Sequence, residues 1–539
     1  LSFTSEAMQR LYRQDWPGNV RQLRNLIEQL AVLAEDSRID LAALERFLPG
    51  EPERAELRDE LADTLLNLPG GDKLERVQDW LTDRALARCS GNKSAAAQLL
   101  GVSRKTVERR LKARENQAQE LDALLARGRQ AVEAGVFAEA IAPLRRASEL
   151  AHDPARRFEA FRLLSVSLRC VNGGLCPDAQ ICLQAAFDAG RDSADPHALA
   201  TLQFGLWSAR LTALALVQAR AAAQDMLQHS QGSANAADEA HVAMANTLFW
   251  LGDGEETLAC LGRGGLLGGA RHSGRAEAQG FDLSCLALSL EGAAAFQLGR
   301  FAQARQAMDA LQQRAMAQHH PFSRAMALHG AAWLAALFEE HDALADWAAS
   351  LETLSQTHGF VFQHGAARLL QGCALAAQGR HADAEQAMAE GFQQEMQRHG
   401  GLLFHAFQAW KRGENLLAAG QAQSCLTLIS AAIDLALERQ ERAYLGELLI
   451  TRARALWALG EPEVAEQELR SAISTAMALG STPARLGAAQ QLALLLRQRG
   501  QFTLAQEALA RALRGVESAD SAPVQQRALM LHDALLEEY

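Results

Sequence analysis

The feature that most constrains how this chain can fold is a glycine that recurs at an almost constant interval. The glycines that define the register are separated by 80, 41, 40 and 40 residues: Gly299, Gly379, Gly420, Gly460 and Gly500. Glu340 takes the corresponding place inside the longest interval, and Gly135 begins a similar unit upstream. A fixed period of about 20–50 residues is typical of repeat architectures, in which each unit packs against its neighbours. Most of the 539 residues are therefore expected to form one array rather than several separate globules.

The residues around each turn repeat as well. A large or helix-starting residue lies two positions after the turn and a small residue five positions after it, as in Phe137 and Ala140, Phe301 and Ala304, His381 and Ala384, and Phe502 and Ala505. Small side chains where helices cross let the helices approach closely. The pattern resembles the tetratricopeptide repeat, in the longer spacing of roughly 40 residues seen in large bacterial transcription regulators. The resemblance implies stacked helix pairs, an α-solenoid, over residues 117–535.

The composition favours an all-α fold. The chain has only three tyrosines and 12 prolines, aromatic residues make up 6% of it, and its texture is rich in Ala, Leu, Gln, Arg and Glu. The register is weaker over residues 150–290, where the interval from Gly252 to Gly299 lengthens to 47 residues. The glycine-rich stretch 262–280 inside it lacks the Gly-Lys-Ser/Thr ending of a phosphate-binding loop, so it is interpreted as a loop insertion.

Residues 73–115 follow a different pattern: a helix, a short helix, a glycine turn and a basic helix. Ser94 is expected to cap the short helix, Gly101 to form the turn, and Ser103 to cap a third helix that ends near Arg114. The predicted core of this element comprises Ala96, Leu99, Leu100, Val102, Val107 and Leu111. The order of elements is typical of a helix–turn–helix that binds DNA.

Charge separates this segment from the rest of the chain. The sequence has 53 Lys and Arg against 64 Asp and Glu, and the net charge of −11 disfavours a protein that coats nucleic acid over its whole surface. Between Gly91 and Arg114, however, seven basic residues face a single acidic one, Glu108. This segment therefore carries +6 and the remaining residues −17, so contact with nucleic acid is expected to be local.

The string from Gly91 to Lys112 closely resembles a Fis-type DNA-binding domain. In such a domain the last helix reads DNA, with Arg bound to guanine and Lys or Arg bound to phosphate. By this resemblance the DNA-binding residues are Ser103, Arg104, Lys105, Thr106, Arg109, Arg110 and Lys112, with Arg110 and Lys112 assigned to phosphates. Glu108 either accepts a hydrogen bond from cytosine or pairs with Lys112. Relatives bind as dimers, so a homo-oligomer is expected.

Residues 1–50 resemble a second family. The string Trp16-Pro-Gly-Asn-Val-Arg-Gln-Leu23 is similar to the end of the AAA+ module of sigma-54-dependent enhancer-binding activators, where it opens the helical lid. In that family a Fis-type domain directly follows the AAA+ module, so both resemblances occur in the family's order. Arg21 matches the sensor II arginine, which contacts the nucleotide phosphates there. The resemblance implies a lid remnant over residues 1–50, with residues 51–72 as a linker.

The ATPase core of that module is not found in the sequence. No GxxxxGK[S/T] phosphate loop occurs, and phosphoryl transfer has no site without a phosphate cradle and Mg²⁺ ligands. The chain is therefore expected to be neither an enzyme nor a cofactor-binding protein, with Arg21 as a vestigial nucleotide sensor. ATP, Mg²⁺ and contact with sigma-54 RNA polymerase would need an upstream core in a longer parent. Because the chain begins with Leu1, it is expected to be a fragment of such a protein.

No metal site, aromatic cage or membrane segment is expected. The eight cysteines form no CxxC pair, and Cys170, Cys176 and Cys182 are six apart, which fits no common zinc motif. Trp333, Trp347, Trp410 and Trp457 are predicted to be core residues. The most apolar stretch, Ala325 to Phe338, is too short to span a bilayer. These features indicate a cytoplasmic protein with reduced thiols.

Two functions remain open on the sequence alone. The first is a bacterial transcriptional regulator that binds specific DNA through the helix–turn–helix, while the repeat array senses or binds a peptide, a protein or a small molecule. The alternative is a protein-interaction scaffold of tetratricopeptide repeats whose DNA-binding element is dispensable.

Overall fold

The computed structural model is helical apart from one short pair of strands. It describes residues 1–14, 16, 19–33, 38–48, 51–67, 73–191, 196–230, 234–269, 279–396, 400–516 and 522–537, without the side chains of 19, 21–22, 33, 51–58, 196–198, 200–201, 235 and 394–396. The chain divides into two compact units, Leu1–Asn116 and Gln117–Tyr539. The expected all-α fold class is confirmed within these described residues.

The first unit begins with a small helical cluster. Its elements are β1 (Ser2–Phe3), α1 (Ser5–Arg13), α2 (Asn19–Leu33), β2 (Arg38–Ile39), α3 (Leu41–Glu45) and α4 (Glu51–Leu66). β1 and β2 pair in parallel, a short ladder that the helical periodicity did not predict. Thr4 and Asp40 cap α1 and α3 through their side-chain oxygens. The core of this cluster consists of Ala7, Leu11, Leu26, Leu30, Ile39, Leu44 and Leu48.

Three helices follow: α5 (Lys73–Arg88), α6 (Lys93–Leu100) and α7 (Arg104–Glu133). The expectation that the third helix ends near Arg114 is wrong. It continues to Glu133 because the intervening sequence has no proline and its single glycine, Gly128, lies in the last two turns. The missing side chain at Gly128 has a packing role, since a Cβ there would lie 2.3 Å from Leu144 Cδ2 on the next helix.

The second unit stacks helices in sequence. Its helices after α7 are α8 (Phe137–Leu150), α9 (Pro154–Asn172), α10 (Pro177–Gly190), α11 (Pro196–Thr212), α12 (Leu216–His229), α13 (Ala234–Trp250), α14 (Gly254–Arg263), α15 (Leu283–Gln297), α16 (Phe301–Ala317), α17 (Pro321–Phe338), α18 (His341–His358), α19 (Val361–Ala377), α20 (His381–Glu390), α21 (His405–Ala418), α22 (Ala422–Arg439), α23 (Leu445–Ala458), α24 (Pro462–Ala478), α25 (Thr482–Gln498), α26 (Phe502–Leu513) and α27 (Pro523–Glu537). A 3₁₀ turn (Leu267–Gly269) and a π-helical turn (Gly391–Met396) interrupt the series.

Packing sorts these helices into two layers. From α8 onward each helix packs against the next, and α7 approaches α8 where Gly128 meets Leu144. From α11 onward each odd-numbered helix also packs against the following odd-numbered one. The odd-numbered helices therefore form an inner layer and the even-numbered helices an outer one, as a tetratricopeptide-like solenoid requires. From α7 to α26 the described residues contain ten such pairs.

The pairs are joined by one recurrent turn. At Gly299 (φ 78°) the amide donates to Phe296 O, and the next amide, of Arg300, donates to Ala295 O. This is the left-handed helix end that glycine adopts without strain. Between Gly299 and Gly379 the residue with this left-handed conformation is Glu339 (φ 58°). The prediction that Glu340 takes the turn position is therefore wrong by one residue. Leu214 (φ 52°) makes the same turn, which restores the register in the stretch that looked irregular.

Successive turns of the superhelix touch one another. The amides of Leu402 and Leu403 donate to Thr212 O at 2.8 and 3.1 Å, and that of Arg442 donates to Trp250 O at 2.8 Å. Further along, Ser481 bonds to Gln297 (2.6 Å) and Arg527 to Glu339 (2.6 Å). The partners lie 184 to 192 residues apart, so one superhelical turn takes between four and five repeats. We call these bonds the cross-turn contacts.

Aromatic side chains fill the interior that the cross-turn contacts enclose. The Trp250 and Trp333 rings stack at 6.1 Å, and the Trp333 indole donates to the Tyr444 hydroxyl at 3.0 Å. Phe404 packs edge-on against both indoles. Trp333 is buried as predicted, whereas Trp347, Trp410 and Trp457 are only partly buried. Within the described residues, aromatic side chains therefore fill part of the inner face of the array.

Candidate DNA-binding surface and array cavities

The turn between α6 and α7 is built from local hydrogen bonds. The Asn92 carboxamide accepts from the amides of Ser94 and Ala95, so Asn92 caps α6 and the choice of Ser94 as the cap is wrong. Gly101 ends α6 in the left-handed conformation (φ 69°), as the predicted turn requires. Ser103 then caps α7 as predicted, with its hydroxyl accepting from the Thr106 amide at 3.1 Å.

The core beneath this turn is smaller than the sequence pattern predicts. Ala96, Ala97 and Val107 are buried, and Thr82 and Ala85 of α5 are buried beside them in the same unit. Two residues assigned to the core are exposed instead: Leu99 is 55% and Val102 43% accessible. The reason is that two adjacent alanines of the short α6, Ala96 and Ala97, already occupy its inward side.

A basic face runs along the start of α7. Arg104, Lys105, Arg109 and Lys112 are all exposed. At 100° per residue these positions fall within an arc of about 140°, and the buried Val107 lies outside that arc. Lys105, Arg109 and Lys112 have no ion pair or hydrogen bond within the described part of the chain. These cations are therefore available to an anionic partner on one side of the helix.

Glu108 lies within the basic face and is already paired. Its carboxylate accepts from Arg104 Nε at 2.8 Å, and this hydrogen bond lowers the pKa of Glu108 below its usual value. Glu108 therefore pairs with Arg104, one turn closer to the start of the helix, and not with Lys112 as the sequence suggested. The Arg104 side chain remains mostly exposed in this pair.

Arg110 faces a different direction from the other predicted DNA contacts. Its guanidinium donates to the Gln78 side chain on α5. One turn later Arg114 forms a two-pronged ion pair with Asp83, at 2.7 and 3.1 Å. Both arginines thus tie α7 to α5. Helical periodicity places Arg110 outside the exposed face that contains Arg109, and the position of α5 supplies its partner.

In the lid segment the structure describes the side chain of Trp16 but not that of Arg21, the predicted nucleotide sensor. Trp16 packs against the small core, and its indole donates to Leu11 O at 3.2 Å. Arg21 lies in α2, and its side chain is outside the described residues.

Two cavities lie between inner helices in the described part of the array. The first measures about 170 Å³ and is lined by residues of α9, α11, α13, α15, α17 and α19 together with Leu403 and Phe404. Its walls are mainly aromatic and aliphatic: Phe204, Trp207, Trp250, Phe281, Phe322 and Trp333. A few polar groups interrupt this apolar lining: Arg169, Asn246, Gln279, Ser289, His329 and Gln363. An apolar cavity with few polar groups is typical of a small-molecule site.

The second cavity is larger and carries charges of both signs. It measures about 460 Å³ and includes Lys411, Glu414, Arg454 and the Arg527–Glu339 ion pair. Lys411 lies 3.7 Å from the centre of the Trp410 ring and 3.3 Å from Glu414. Burial alone would lower the pKa of Lys411, but Glu414 and other acidic groups outweigh it and raise that pKa. The charges in this cavity largely neutralise one another, which leaves no single charge directed at a ligand.

The arrangement of possible metal ligands and of apolar helices in the described residues bears on metal binding and membrane insertion. No group of three or more His, Cys, Asp or Glu side chains in the described part of the chain is arranged to hold a metal ion. No helix there is long and apolar enough to cross a membrane. The cysteines are free, and burial raises the pKa of the Cys170 and Cys285 thiols to about 12.

Comparison with known families supports both amino-terminal resemblances. Residues 1–60 match the AAA+ ATPase lid domain, and residues 81–113 match the Fis family of bacterial regulatory proteins. Both expected segments are present, in the expected order. The regions that match these families are a lid and a DNA-binding element, and the lid match extends into α4, where a linker was expected.

The same part of the chain is similar to curated bacterial regulators. It is 35% identical over 105 residues to the transcriptional regulatory protein ZraR of Salmonella typhi, covering 20% of this chain and 22% of that protein. It is 33% identical over 132 residues to the DNA-binding transcriptional regulator NtrC of Azospirillum brasilense, covering 21% and 27%. The chain thus spans about a quarter or less of the length of these relatives.

Solved structures resemble the helical array at low sequence identity. The Rap protein complexed with competence and sporulation factor has a TM-score of 0.47 and 12% identity, covering 67% of this chain and 98% of that chain. The APC/C hetero-tetramer Cut9–Hcn1 has a TM-score of 0.45 and 13% identity, covering 98% and 99%. The repeat fold itself is established by the helix packing described above.

Proposed function

We propose that this chain is part of a bacterial transcriptional regulator that binds specific DNA through α6 and α7 and senses a ligand through its repeat array. The observation that carries the proposal is the exposed basic face of α7, which lies within the segment that matches the Fis family. Exposed Arg and Lys on the second helix of a helix–turn–helix are suited to base edges and phosphates. Regulation of transcription by similar proteins supports the same assignment.

Within this proposal the predicted contacts take unequal roles. Arg104, Lys105, Arg109 and Lys112 are placed on the exposed face and are assigned to DNA, with Ser103 and Thr106 at the start of the helix. Arg110 is assigned mainly to holding α7 on α5, because its guanidinium bonds to Gln78. Nucleotide binding and contact with sigma-54 RNA polymerase are assigned to an AAA+ core outside this chain, in line with the lid match.

Homo-oligomerisation belongs to the same proposal. Leu74, Trp80 and Leu81 of α5 are large apolar side chains, each more than half exposed. A second copy that covers this apolar surface would place two α7 helices for a two-fold symmetric DNA site.

The test compares two double variants that remove the same charge. A duplex site is first selected from random DNA with the unchanged 539-residue chain. Arg104→Ala with Arg109→Ala should weaken binding of that site by about 2–6 kcal/mol, at least roughly thirtyfold, because two base- or phosphate-binding groups are lost. Arg84→Ala with Arg88→Ala, on exposed positions of α5, should change it by less than about threefold.

Fluorescence anisotropy at fixed salt measures both affinities, since salt alone alters binding to DNA. Equal affinity of the two double variants, or no enrichment of any sequence from the random pool, would contradict the proposal and favour the scaffold alternative.

A further inference from the structure

The first cavity has the size of one substituted aromatic ring. It measures about 170 Å³, and an apolar cavity of about 150 Å³ is large enough to bind benzene. Indole and phenyl rings from Phe204, Trp207, Trp250 and Trp333 form its walls. A flat ring can pack edge-on or offset against such walls, as the wall rings do with each other.

One full positive charge faces this apolar space. Arg169 lines the cavity from α9, and its Nε has no hydrogen-bond partner among the residues that the structure describes. Its recorded polar contact is from Nη2 to Gln279 Oε1 at a long 3.3 Å, and no described carboxylate forms an ion pair with it. Burial lowers the pKa of Arg169, yet a guanidinium stays protonated at neutral pH. A buried cation whose charge is not fully balanced is costly, so the site favours an anionic ligand.

Neighbouring titratable groups leave the charge of Arg169 incompletely neutralised. Glu239 interacts electrostatically with Arg169, but burial raises the pKa of Glu239 to about 7, so it is partly protonated near neutral pH. Glu239 also interacts with a second cation, Arg162, which in turn interacts with Glu159. On the far wall, burial lowers the pKa of His329 to about 4, so its ring is neutral and bonds to Gln363 at 2.9 Å. Cys170, the neighbour of Arg169, is a neutral thiol because burial raises its pKa to about 12.

We propose that the first cavity binds a small aromatic carboxylic acid, whose ring packs among the tryptophans and whose carboxylate pairs with Arg169. The cavity supplies both halves of this recognition, an apolar enclosure for the ring and a fork of N–H donors for the carboxylate. The inference rests on the ligand-sensing part of the proposed function and names the class of ligand. It does not depend on the DNA-binding part.

A free acid fits this site better than a peptide does. Thr212, Leu403 and Phe404 line the cavity, and the amides of Leu402 and Leu403 donate to Thr212 O at its wall. The cavity volume of about 170 Å³ accommodates a single substituted ring, whereas a peptide of several residues exceeds it.

The position of the cavity links binding to the shape of the array. Six consecutive inner helices line it, and Leu403 and Phe404 reach it from the next superhelical turn. A ligand that contacts both turns binds the closed superhelix more tightly than an opened one. It therefore stabilises the closed form by its difference in affinity.

The first experiment uses the unchanged chain and benzoate. Trp207, Trp250 and Trp333 line the cavity, so binding should alter tryptophan emission, and isothermal titration calorimetry provides an independent affinity. We expect saturable binding of benzoate. The neutral isostere benzamide should bind at least about tenfold more weakly, because it lacks the charge that Arg169 needs. No saturable binding of benzoate, or equal affinity for the two probes, would overturn the proposal.

The second experiment changes the arginine and uses a matched control. Arg169→Gln keeps a hydrogen-bonding side chain but removes the charge, and it should weaken benzoate binding by about tenfold or more while affecting benzamide little. Arg145→Gln removes the same charge from an exposed ion pair on α8 and should leave both affinities within about twofold. Equal benzoate affinity in the two variants would overturn the proposal.

Two further readouts keep the conclusions separate. If Arg169→Gln fails to fold, as judged by its far-ultraviolet circular dichroism, the comparison of benzoate with benzamide in the unchanged chain decides. A short peptide ending in phenylalanine that displaces benzoate at lower concentration would overturn the assignment to a free acid. Benzoate titration of the Arg104→Ala, Arg109→Ala variant should be unchanged, so failure of DNA binding and failure of ligand binding are distinguishable.

Discussion

At the scale of single residues, buried carboxyl groups dominate the chemistry of the array. Glu441 is fully buried at the start of the turn before α23, where Oε1 accepts weakly from the Ala406 amide (3.4 Å) and Oε2 has no partner in the described residues. Burial raises the pKa of Glu441 to about 8. Glu239 and Glu447 are shifted in the same direction, each to about 7. Such groups hold a proton in the folded state that they release in the unfolded state.

This shift predicts how stability depends on pH. Between the unfolded pKa of about 4.3 and the folded pKa of about 8, the native state binds more protons at Glu441 than the unfolded state does. The free energy of unfolding therefore falls as pH rises across this window, by at most about 1.4 kcal/mol per pH unit for this group. Glu441→Gln cannot ionise, so its Tm should exceed that of the unchanged chain by more at pH 8 than at pH 5.5. Thermal melts at the two pH values measure this, and a difference independent of pH would contradict it.

Residue identity alone did not decide which cations face solvent on α7. Arg109 and Arg110 are adjacent and chemically identical, yet Arg109 is exposed while Arg110 bonds to Gln78. The helical periodicity identifies the exposed face correctly for Arg104, Lys105, Arg109 and Lys112. It cannot show that Glu108 pairs with Arg104 rather than with Lys112, because both lie four residues away.

At the scale of elements, the left-handed turns determine where helices end. Most of these positions are glycine, but Gln440 adopts the same conformation (φ 60°) at the end of α22. For a residue with a side chain this conformation costs roughly 1 kcal/mol. At Gly500 (φ 72°) an added Cβ would meet no atom within 4 Å, so a substitution there tests backbone strain alone.

Opposite substitutions at these two turns should have opposite effects. Gln440→Gly should stabilise the array by about 1 kcal/mol, because it relieves the left-handed strain. Gly500→Ala should destabilise it by about the same amount, because it introduces that strain. Equilibrium unfolding in urea measures both changes. Changes of the same sign would show that strain at these turns is not what the substitutions alter.

At the scale of the whole array, some glycines serve a second purpose. Gly299 is left-handed like Gly420, but an added Cβ at Gly299 would lie 2.8 Å from the Thr482 side chain on the next superhelical turn. At Gly420 the same atom would meet nothing within 4 Å. Thr482 also donates to Leu298 O at 3.2 Å, so this approach belongs to the cross-turn contacts.

The two glycines should therefore respond unequally to the same change. Gly420→Ala should cost only the backbone strain of about 1 kcal/mol. Gly299→Ala should cost about 1–3 kcal/mol more, because it also pushes two superhelical turns apart. Urea unfolding gives the difference, and faster amide hydrogen exchange near Thr482 in Gly299→Ala alone would locate it. Equal losses in the two variants would argue against the cross-turn contacts.

Local patterns in the sequence determined the repeat period, the glycine turns and the order of lid, DNA-binding element and array. Each depends on residues that are close along the chain: Gly101 and Ser103 shape their own turn, and Gly299 ends its own helix. The sequence pattern placed one turn at Glu340 instead of Glu339, because the left-handed conformation of Glu339 is one that glycine usually adopts.

Only the tertiary structure decided how tightly the repeats wind. A small rotation at every repeat accumulates until residues 184 to 192 apart meet, and no local pattern encodes that sum. The winding brings Trp250, Trp333 and Tyr444 together in the interior and joins Leu402 to Thr212 by a hydrogen bond. It also leaves Arg169 facing a small apolar cavity. The sequence alone therefore determined the repeating unit, while the ligand site depends on contacts made only when a whole superhelical turn is complete.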